Sequence, residues 1–496
     1  MNKNSIAVTV FTFLWAIQTA GAASQPATSQ DAGVNPRGLA AGDLMGNGSE
    51  QLAVANFGSP TFIGLMPPAS ASQTSNVQVF NYGAAGLALA ATIPTASSPR
   101  GISIFDLTGK GQGDLLVTAY GAGLLQVFGR DHGHFVKLDE ASTGTMPVGV
   151  AAGTTRGGSS VFAVVADYGS NQVSIYPIVN GKLGKRMDLS VDAGPVQLAV
   201  GNLGGNFNSI VVACMGAGKI DILTPKTADP SSYSVTSTLA LPTGSSPSDL
   251  CLTDLNGDGK TDMVVADFAN NDIQIFLQGA SGTLSAQPSL ATSGQHPNGL
   301  TVGDLDGDGK PEIIVANRDS DTLDVFAATG TEFKLTQTLS LVDGTKPDLG
   351  PVEVALLGGK GTGPRLLATT HMRSNSVKTL TILVPTPTPD PAGTTAREIR
   401  PFGADTTYCY PNPAHGVPVR IHFNLLSPAQ VDIQVFDVEG ILVFSESLSP
   451  SQTVAGENNI DWNLRNQLGS SLASWKYLCR VTTGGQSAVR KISIFH

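Results

Sequence analysis

The chain has 496 residues, too many for one ordinary domain, and a formal net charge of −10 at pH 7. This acidic balance argues against nucleic acid as a partner, because nucleic-acid binding needs a basic face, and it fits an extracellular protein that binds divalent cations. Charged residues make up 14% of the chain and aromatic residues 6%, whereas glycine occurs 57 times, which predicts many short strands and turns rather than helices.

The N-terminus has the pattern of an export signal. Lys3 precedes an apolar run at 6–17, and the small residues at 20–22 fit a cleavage site. Because the run is too short to span a bilayer, residues 1–22 are interpreted as a signal peptide that is removed. No other stretch has the length and hydropathy of a transmembrane helix, so we expect a secreted or cell-surface protein without a transmembrane segment in the mature chain.

Seven copies of one unit follow, each opening on a proline and spaced by about 50 residues. The openings are Pro36, Pro99, Pro147, Pro195, Pro247, Pro297 and Pro351. A unit of this length with four strand signals is typical of a β-propeller blade, and the repeats therefore predict a seven-bladed propeller over 24–384. In the sixth copy the four predicted strands are 299–304, 312–318, 322–327 and 334–341.

The seventh copy shows only three strand signals, the last at 379–384, before a proline-rich stretch. The polar segment near 25–30 precedes the first copy and has no blade of its own. We expect this segment to pair with 379–384 as the outer strand of the last blade, since an unclosed blade would expose a sheet edge.

The sixth copy carries an acidic loop between its first two predicted strands. Asp304, Asp306 and Asp308 occupy loop positions 1, 3 and 5, and Glu312 occupies position 9. Alternate carboxylates on a tightly turning backbone point inward, and such a set of hard oxygen ligands suits Ca²⁺. An EF-hand would need a glutamate at position 12, where this loop has Val315. The alternative interpretation is a turn that simply favours aspartate and glycine.

The fifth copy repeats the pattern with Asp254, Asn256, Asp258 and Asp262. With these residues and this spacing, the region 36–384 resembles the VCBS/FG-GAP repeat family, which includes the propeller head of integrin α subunits. The resemblance implies Ca²⁺ bound by side chains at loop positions 1, 3, 5 and 9 and by the carbonyl at position 7.

Carried over to this sequence, the resemblance implies two structural Ca²⁺ sites. The implied ligands are Asp254, Asn256, Asp258, the Lys260 carbonyl and Asp262 in the fifth copy, and Asp304, Asp306, Asp308, the Lys310 carbonyl and Glu312 in the sixth. The remaining copies depart from the pattern. The second keeps Asp106 and Asp114 but has Lys110 at the third ligand position, where an ammonium could replace the cation.

The region 402–496, after a Pro/Thr-rich linker at 385–401, has a different texture. Alternating apolar residues predict strands at 419–425, 430–438, 442–448, 459–464, 475–482 and 488–495. Its motifs YPNPA, VDIQVFDVEG, NNIDWN and KISIF resemble the immunoglobulin-like domain of flagellar hook-capping proteins and type IX secretion sorting domains. The resemblance implies a role in sorting or attachment, although Trp475 stands where that family usually has glycine.

The predicted fold class is thus all-β, a seven-bladed β-propeller followed by a small immunoglobulin-like β-sandwich. The sequence leaves open whether Cys409 and Cys479 form a disulfide in the second domain.

No catalytic motif is present, and His371, which could face the propeller channel, has no assignable partner. The favoured function is a non-enzymatic binding or adhesion module for an extracellular polysaccharide or protein. The alternative is an extracellular polysaccharide lyase or hydrolase built on the same scaffold, and the identity of the ligand stays open.

Overall fold

The chain divides into two compact units, Met1–Thr386 and Pro387–His496. The structure is a computed structural model. It describes residues 23–24, 28–58, 75–83, 86–155, 160–279, 282–306, 308–329, 332–342, 350–358, 365–383, 402, 407–410, 414–415, 419–437, 441–466, 475–484 and 486–495. The predicted signal peptide and the predicted linker lie outside the described residues, so both stay predictions.

Seven antiparallel sheets make up the described part of the first unit. Two short strands, β1 (Ala23–Ser24) and β2 (Thr28–Asp31), come first and belong to the last of these sheets. Sheet 1 contains β3 (Pro36–Gly42), β4 (Gln51–Asn56), β5 (Asn76–Gly83) and β6 (Gly86–Pro94). Sheet 2 contains β7 (Pro99–Phe105), β8 (Asp114–Ala119), β9 (Leu124–Asp131) and β10 (His134–Ser142). Sheet 3 contains β11 (Pro147–Thr154), β12 (Val161–Asp167), β13 (Gln172–Val179), β14 (Lys182–Leu183) and β15 (Met187–Ser190).

The remaining sheets follow the same plan. Sheet 4 contains β16 (Pro195–Gly201), β17 (Ser209–Cys214), β18 (Lys219–Pro225) and β19 (Tyr233–Ala240), with a 3₁₀ turn at Pro230–Ser232. Sheet 5 contains β20 (Pro247–Thr253), β21 (Asp262–Asp267), β22 (Asp272–Gln278), β23 (Leu284–Ala286) and β24 (Leu290–Ala291). Sheet 6 contains β25 (Pro297–Gly303), β26 (Glu312–Asn317), β27 (Thr322–Thr329) and β28 (Glu332–Ser340). Sheet 7 contains β29 (Pro351–Leu357), β30 (Arg365–His371) and β31 (Ser376–Leu383), together with β1 and β2.

The first strands of the sheets form an inner ring. Each contacts the first strand of the next sheet, in the order β3, β7, β11, β16, β20, β25 and β29, and β29 contacts β3 again. The second strands behind them are buried along nearly their whole length, as the apolar runs predict. Hydrophobic clusters fill the spaces between neighbouring sheets, including a cluster of Leu52, Phe80, Leu357 and Leu366 between sheets 1 and 7. Sheets packed face to face around an axis are the architecture of a β-propeller, which confirms the predicted fold class.

The N-terminal strands close the ring, as the sequence predicts. Thr28 to Asp31 pair antiparallel with Thr379 to Ser376, and Ala23 and Ser24 pair with Leu383 and Ile382. The outer edge of β31 is therefore covered by β1 and β2, which limits the exposed backbone N–H and C=O groups at the seam.

His371 lies at the end of β30 and has no solvent exposure, so the expectation that it could face the channel is wrong. Its Nε2 lies 2.5 Å from the Thr369 hydroxyl. Burial and the positive charge of Lys378 lower the pKa of His371 from 6.5 to about 3. The folded state therefore holds this imidazole neutral in mildly acidic solution.

The propeller is expected to lose stability below pH 6.5 because of His371. The unfolded chain binds a proton at this residue near pH 6.5 while the folded chain does not, so about 2 kcal/mol of the free energy of unfolding is lost at pH 5. His371→Asn should remove this dependence, since asparagine occupies the same repeat position in Asn56 and Asn317. Urea unfolding at pH 7.5 and pH 5 measures the difference. If the free energy of unfolding fell by the same amount between pH 7.5 and pH 5 in both proteins, His371 would not be the cause of the pH dependence.

Two sheets that share one core form the described part of the second unit. Its strands are β32 (Thr407–Tyr410), β33 (Ala414–His415), β34 (Val419–Leu425), β35 (Val431–Phe436), β36 (Leu442–Leu448), β37 (Gly456–Trp462), β38 (Trp475–Thr483) and β39 (Gln486–Phe495). One sheet has the order β32-β34-β37 and the other β33-β39-β38-β35-β36. Trp462 is the largest buried side chain in the core between them. This is a β-sandwich, and it adds β32 and β33 to the predicted strands.

Cys409 and Cys479 come from different sheets of this sandwich and belong to the same core. Both are free thiols in the structure. The hydrogen bond between the Cys479 and Cys409 thiols, together with burial, raises the pKa of Cys479 far above its usual range.

Candidate metal centre

The acidic loop of sheet 6 joins β25 to β26 and brings three carboxylates together. Asp304, Asp306 and Glu312 each present an oxygen, and these three atoms lie within 4.8 Å of one another. Glu312 is buried with 3% exposure, because it is the first residue of the buried strand β26. Its Oε2 accepts a hydrogen bond of 2.7 Å from the backbone N–H of Leu305. Burial and the charges of the neighbouring aspartates raise the pKa of Glu312 to about 7.

Asp308 and Lys310 lie in the same loop but outside this cluster. The Asp308 Oδ1 accepts a hydrogen bond of 2.8 Å from the backbone N–H of Lys310, and the Lys310 ammonium lies 3.8 Å from Asp308. The structure thus brings together three of the four predicted acidic ligands of this loop and pairs the fourth with a lysine.

The loop of sheet 5 has a different arrangement. Asp254 accepts hydrogen bonds from the backbone N–H groups of Gly257, Asp258 and Gly259. The two carboxylate oxygens of Asp262 accept from Leu255 and Gln278.

The other predicted ligands of this loop also interact within it. The Lys260 ammonium lies 2.7 Å from Asp258, and the Asn256 Oδ1 accepts from the backbone N–H of Asp258 at 2.9 Å. Among the described residues the metal-like grouping of carboxylates is found in sheet 6 and not in this loop.

A leucine that the sequence reasoning overlooked holds four of these loops in shape. The backbone N–H of the leucine at loop position 2 donates to the side chain at position 9. The pairs are Leu44 with Gln51 at 2.8 Å, Leu107 with Asp114 at 3.0 Å, Leu255 with Asp262 at 3.0 Å and Leu305 with Glu312 at 2.7 Å. All four leucines are buried. Position 9 therefore has a structural role whether or not a loop binds metal, and the recurring Asp-Leu pair in the sequence was the available signal.

Lys110 does not replace a cation in the loop of sheet 2. Its ammonium makes no ion pair with Asp106 or Asp114 within the described part of the chain, so that expectation is wrong. The Asp106 carboxylate instead accepts hydrogen bonds from the backbone N–H groups of Lys110 and Gly111.

Arg365 of the neighbouring sheet 7 reaches the sheet 6 loop. Its guanidinium lies 3.6 Å from the Asp304 carboxylate, and its side chain is 5% exposed. The contact crosses from β30 to a loop 61 positions earlier in the chain. The guanidinium therefore offsets part of the negative charge of the cluster.

The donor set fits a hard divalent cation. Asp304, Asp306 and Glu312 offer oxygen atoms alone, without the nitrogen or sulfur ligands that zinc prefers. Three acidic groups whose oxygens lie within 4.8 Å repel one another. Burial and this repulsion together raise the pKa of Glu312. A bound Ca²⁺ would favour the charged form of all three.

Comparison with known families identifies two parts of the chain. Residues 254–315 match the FG-GAP-like repeat, and residues 408–495 match the secretion system C-terminal sorting domain. The first match runs from the acidic loop of sheet 5 to β26 of sheet 6 and includes both acidic loops. A search of curated proteins found no match.

Solved structures with a similar fold include a β-propeller domain and a gluconolactonase, and their sequence identity to this chain is low. The β-propeller domain of Cps50 (Swd1) from Myceliophteria thermophila is 11% identical, with 71% of this chain and 98% of that chain covered and a TM-score of 0.50. A protein from Lactobacillus plantarum is 17% identical, with 64% and 87% covered and a TM-score of 0.49. The periplasmic gluconolactonase PpgL from Pseudomonas aeruginosa is 18% identical, with 62% and 86% covered and a TM-score of 0.48. The likeness to Cps50 supports the fold and carries nothing about function.

The chain therefore combines a β-propeller that carries an FG-GAP-like repeat with a C-terminal sorting domain. The sorting domain indicates secretion and a location outside the cell or at its surface. A helix with the length and apolar character needed to cross a bilayer is not found in the described residues.

Proposed function

We propose that this protein is a secreted, calcium-stabilised propeller that acts as a non-enzymatic binding or adhesion module for an extracellular polysaccharide or protein. The observation that carries the calcium part is the oxygen cluster of Asp304, Asp306 and Glu312. The sorting domain supports the extracellular part. The signal peptide at 1–22 would start export, and the second domain would direct or attach the exported protein.

The metal has a structural role in this proposal. Asp304 and Asp306 lie in the loop, whereas Glu312 lies in β26, so one ion held by all three would fix the loop against the buried strand behind it. Ca²⁺ supplies positive charge and flexible oxygen coordination at such a site. The inner ring then presents the segments at the ends of its strands in fixed positions, and such connecting segments are where binding residues concentrate.

A binding screen with a parallel turnover assay tests this function. The purified full-length protein is applied to arrays of polysaccharides and of extracellular proteins. The buffer contains about 1 mM Ca²⁺, which is near the Kd of extracellular calcium-binding modules. Every bound polysaccharide is then incubated with the protein and measured for new reducing ends and for absorbance of unsaturated products. We expect saturable binding without either signal. Release of reducing ends or unsaturated products would show that the protein is a hydrolase or a lyase and not a non-enzymatic binding module.

A further inference from the structure

The channel mouth at the end of the ring opposite the acidic loops carries a recurring feature. In each sheet one residue directly follows the second strand, and its backbone N–H donates to the carbonyl of the residue before the first strand, over 2.9 to 3.2 Å. Five of these seven positions hold an aromatic residue or an arginine: Phe57, Tyr120, Tyr168, Phe268 and Arg318. Because they take the same place in every sheet, they surround the channel at one level. We call this set the rim.

Two arginines from the inner strands stand beside the rim in sheets 1 and 2. The Arg37 guanidinium lies 5.8 Å from the centre of the Phe57 ring, and the Arg100 guanidinium lies 5.5 Å from that of Tyr120. The two rings are 5.7 Å apart. The pairing of the first and second strands is irregular directly after Pro36 and Pro99, which bulges the backbone at both arginines. Bulges of this kind redirect side chains and are common next to binding sites.

A second group completes the rim on sheets 5 to 7. Arg318 lies 4.4 Å from the centre of the Phe268 ring, which stacks on His296 at 4.5 Å. Asp319 lies 3.2 Å from Arg318 and 2.8 Å from Arg373. One carboxylate therefore contacts two guanidinium groups here, so the cations outnumber the anions.

The positive charge converges on the channel. Burial and the charges of Arg100 and Arg318 lower the pKa of Arg37 to about 10, as expected for guanidinium groups that face one channel from sheets 1, 2 and 6. Within the described residues Arg100 makes no ion pair or side-chain hydrogen bond; its guanidinium stands over Tyr120, and Glu353 lies near enough for its charge to act on Arg100. Desolvating a cation without a bonded anion is costly, and an anionic ligand would remove that cost.

Two buried acids also belong to this region, since Glu353 lies near Arg100 and Asp249 lies near Glu353. Burial raises the pKa of Asp249 to about 6 and, with the neighbouring charge of Asp249, raises the pKa of Glu353 well above its usual value. Each of these carboxyls therefore holds its proton to a higher pH than an exposed carboxyl does. The mouth is also open to solvent, since Tyr168 is 41% exposed and Met146 beside it is 44% exposed.

We infer that the rim with Arg37 and Arg100 binds an acidic saccharide, with the carboxylate of a uronic acid on the guanidinium groups and the sugar ring against the aromatic faces. Guanidinium forks match carboxylates in two-point hydrogen bonding, and partly exposed aromatic faces offer flat apolar surface next to a polar group. This inference rests on the proposed binding function and gives it a place and a ligand class. It also explains how a chain of net charge −10 would attract a polyanion, because the positive potential is local to the mouth.

Calorimetric titration of the full-length protein tests the inference, with hexagalacturonate as the acidic probe, maltohexaose as the neutral probe and a hexaglutamate peptide as the non-sugar polyanion. We expect binding of hexagalacturonate that weakens as salt rises, and at least tenfold weaker binding of the other two. Arg37→Gln with Arg100→Gln should reduce the affinity for hexagalacturonate at least tenfold. Arg130→Gln is the matched control, because Arg130 stands 5.6 Å from the Phe135 ring but away from the mouth, and its affinity should stay within twofold.

Tyr168→Ala provides a second variant that is expected to fold, since Tyr168 is 41% exposed, and it should weaken binding at least threefold. Unchanged affinity in the double arginine variant and in Tyr168→Ala would overturn the site while leaving the binding function intact. Equal affinity for hexaglutamate would contradict the acidic saccharide as the ligand class and indicate an acidic peptide instead. If the protein bound no array component and none of the three probes, the proposed binding function itself would be wrong.

Discussion

Replacing Gly101 with alanine is expected to lower the free energy of unfolding of the propeller by about 3 kcal/mol, the upper part of the range for overpacking a filled interior. A Cβ at Gly101 would lie closer than 3.0 Å to the carbonyl oxygen of Val148 in the next inner strand and to the Thr118 hydroxyl. The Thr118 hydroxyl donates to that same carbonyl at 2.7 Å and accepts from the Gly101 N–H at 2.8 Å. Backbone of two neighbouring sheets would have to move apart, and flexible side chains cannot absorb the clash.

Gly205→Ala is the matched control for this substitution. The atom nearest to a Cβ at Gly205 is the Phe207 carbonyl oxygen at 3.5 Å, an ordinary van der Waals contact. Its free energy of unfolding should stay within about 0.5 kcal/mol of the parent protein, as for most surface substitutions. Urea denaturation of the three proteins measures both values. Equal stability of Gly101→Ala and Gly205→Ala would show that the inner strands are not packed as closely as described.

Local sequence patterns predict much of this fold. The first strand of every sheet begins at the proline that marks the repeat, and in sheet 6 the predicted strands at 312–318 and 322–327 end within two residues of β26 and β27. The closing strand was also predictable, because a three-stranded last repeat needs a partner and the N-terminal segment had none. Periodicity and turn residues act over a few positions, so they can be read without the rest of the molecule.

The composition of the sites was harder to predict, because it depends on ring closure. Arg365 and Asp304 are brought together by the packing of sheet 7 on sheet 6, and Phe57 and Tyr120 meet because sheets 1 and 2 are neighbours at one level. No short spacing in the sequence encodes these contacts. The loop of sheet 5 is the opposite case, since its spacing resembles that of sheet 6 while, among the described residues, the close grouping of carboxylate oxygens is found in sheet 6.

Calcium is expected to stabilise the propeller through the sheet 6 loop. A ligand that binds only the folded chain adds about 2.7 kcal/mol to the free energy of unfolding at a concentration one hundredfold above its Kd. For a unit of this size that corresponds to a rise in Tm of about 4 °C. The physical reason is the mutual repulsion of Asp304, Asp306 and Glu312, whose oxygens lie within 4.8 Å and which an ion would neutralise.

Asp306→Ala should remove most of the calcium-dependent stabilisation contributed by sheet 6. Its carboxylate makes one described hydrogen bond, to the Asp308 N–H at 3.0 Å, so the variant should lose little stability in the absence of metal. Asp106→Ala is the control, because Asp106 also orders its loop through backbone hydrogen bonds but lacks the full ligand set. That variant should lower the Tm by the same amount with and without calcium.

The most direct test of calcium stabilisation is the thermal unfolding of the full-length protein with calcium and with EDTA. Calorimetry measures the Tm of the propeller in each case. Calcium is held at about 1 mM, near extracellular levels. We expect a higher Tm in calcium for the parent protein and for Asp106→Ala, and a much smaller difference for Asp306→Ala. The same Tm in calcium and EDTA for the parent protein would contradict it, because the acidic loops would then be turns that bind no metal.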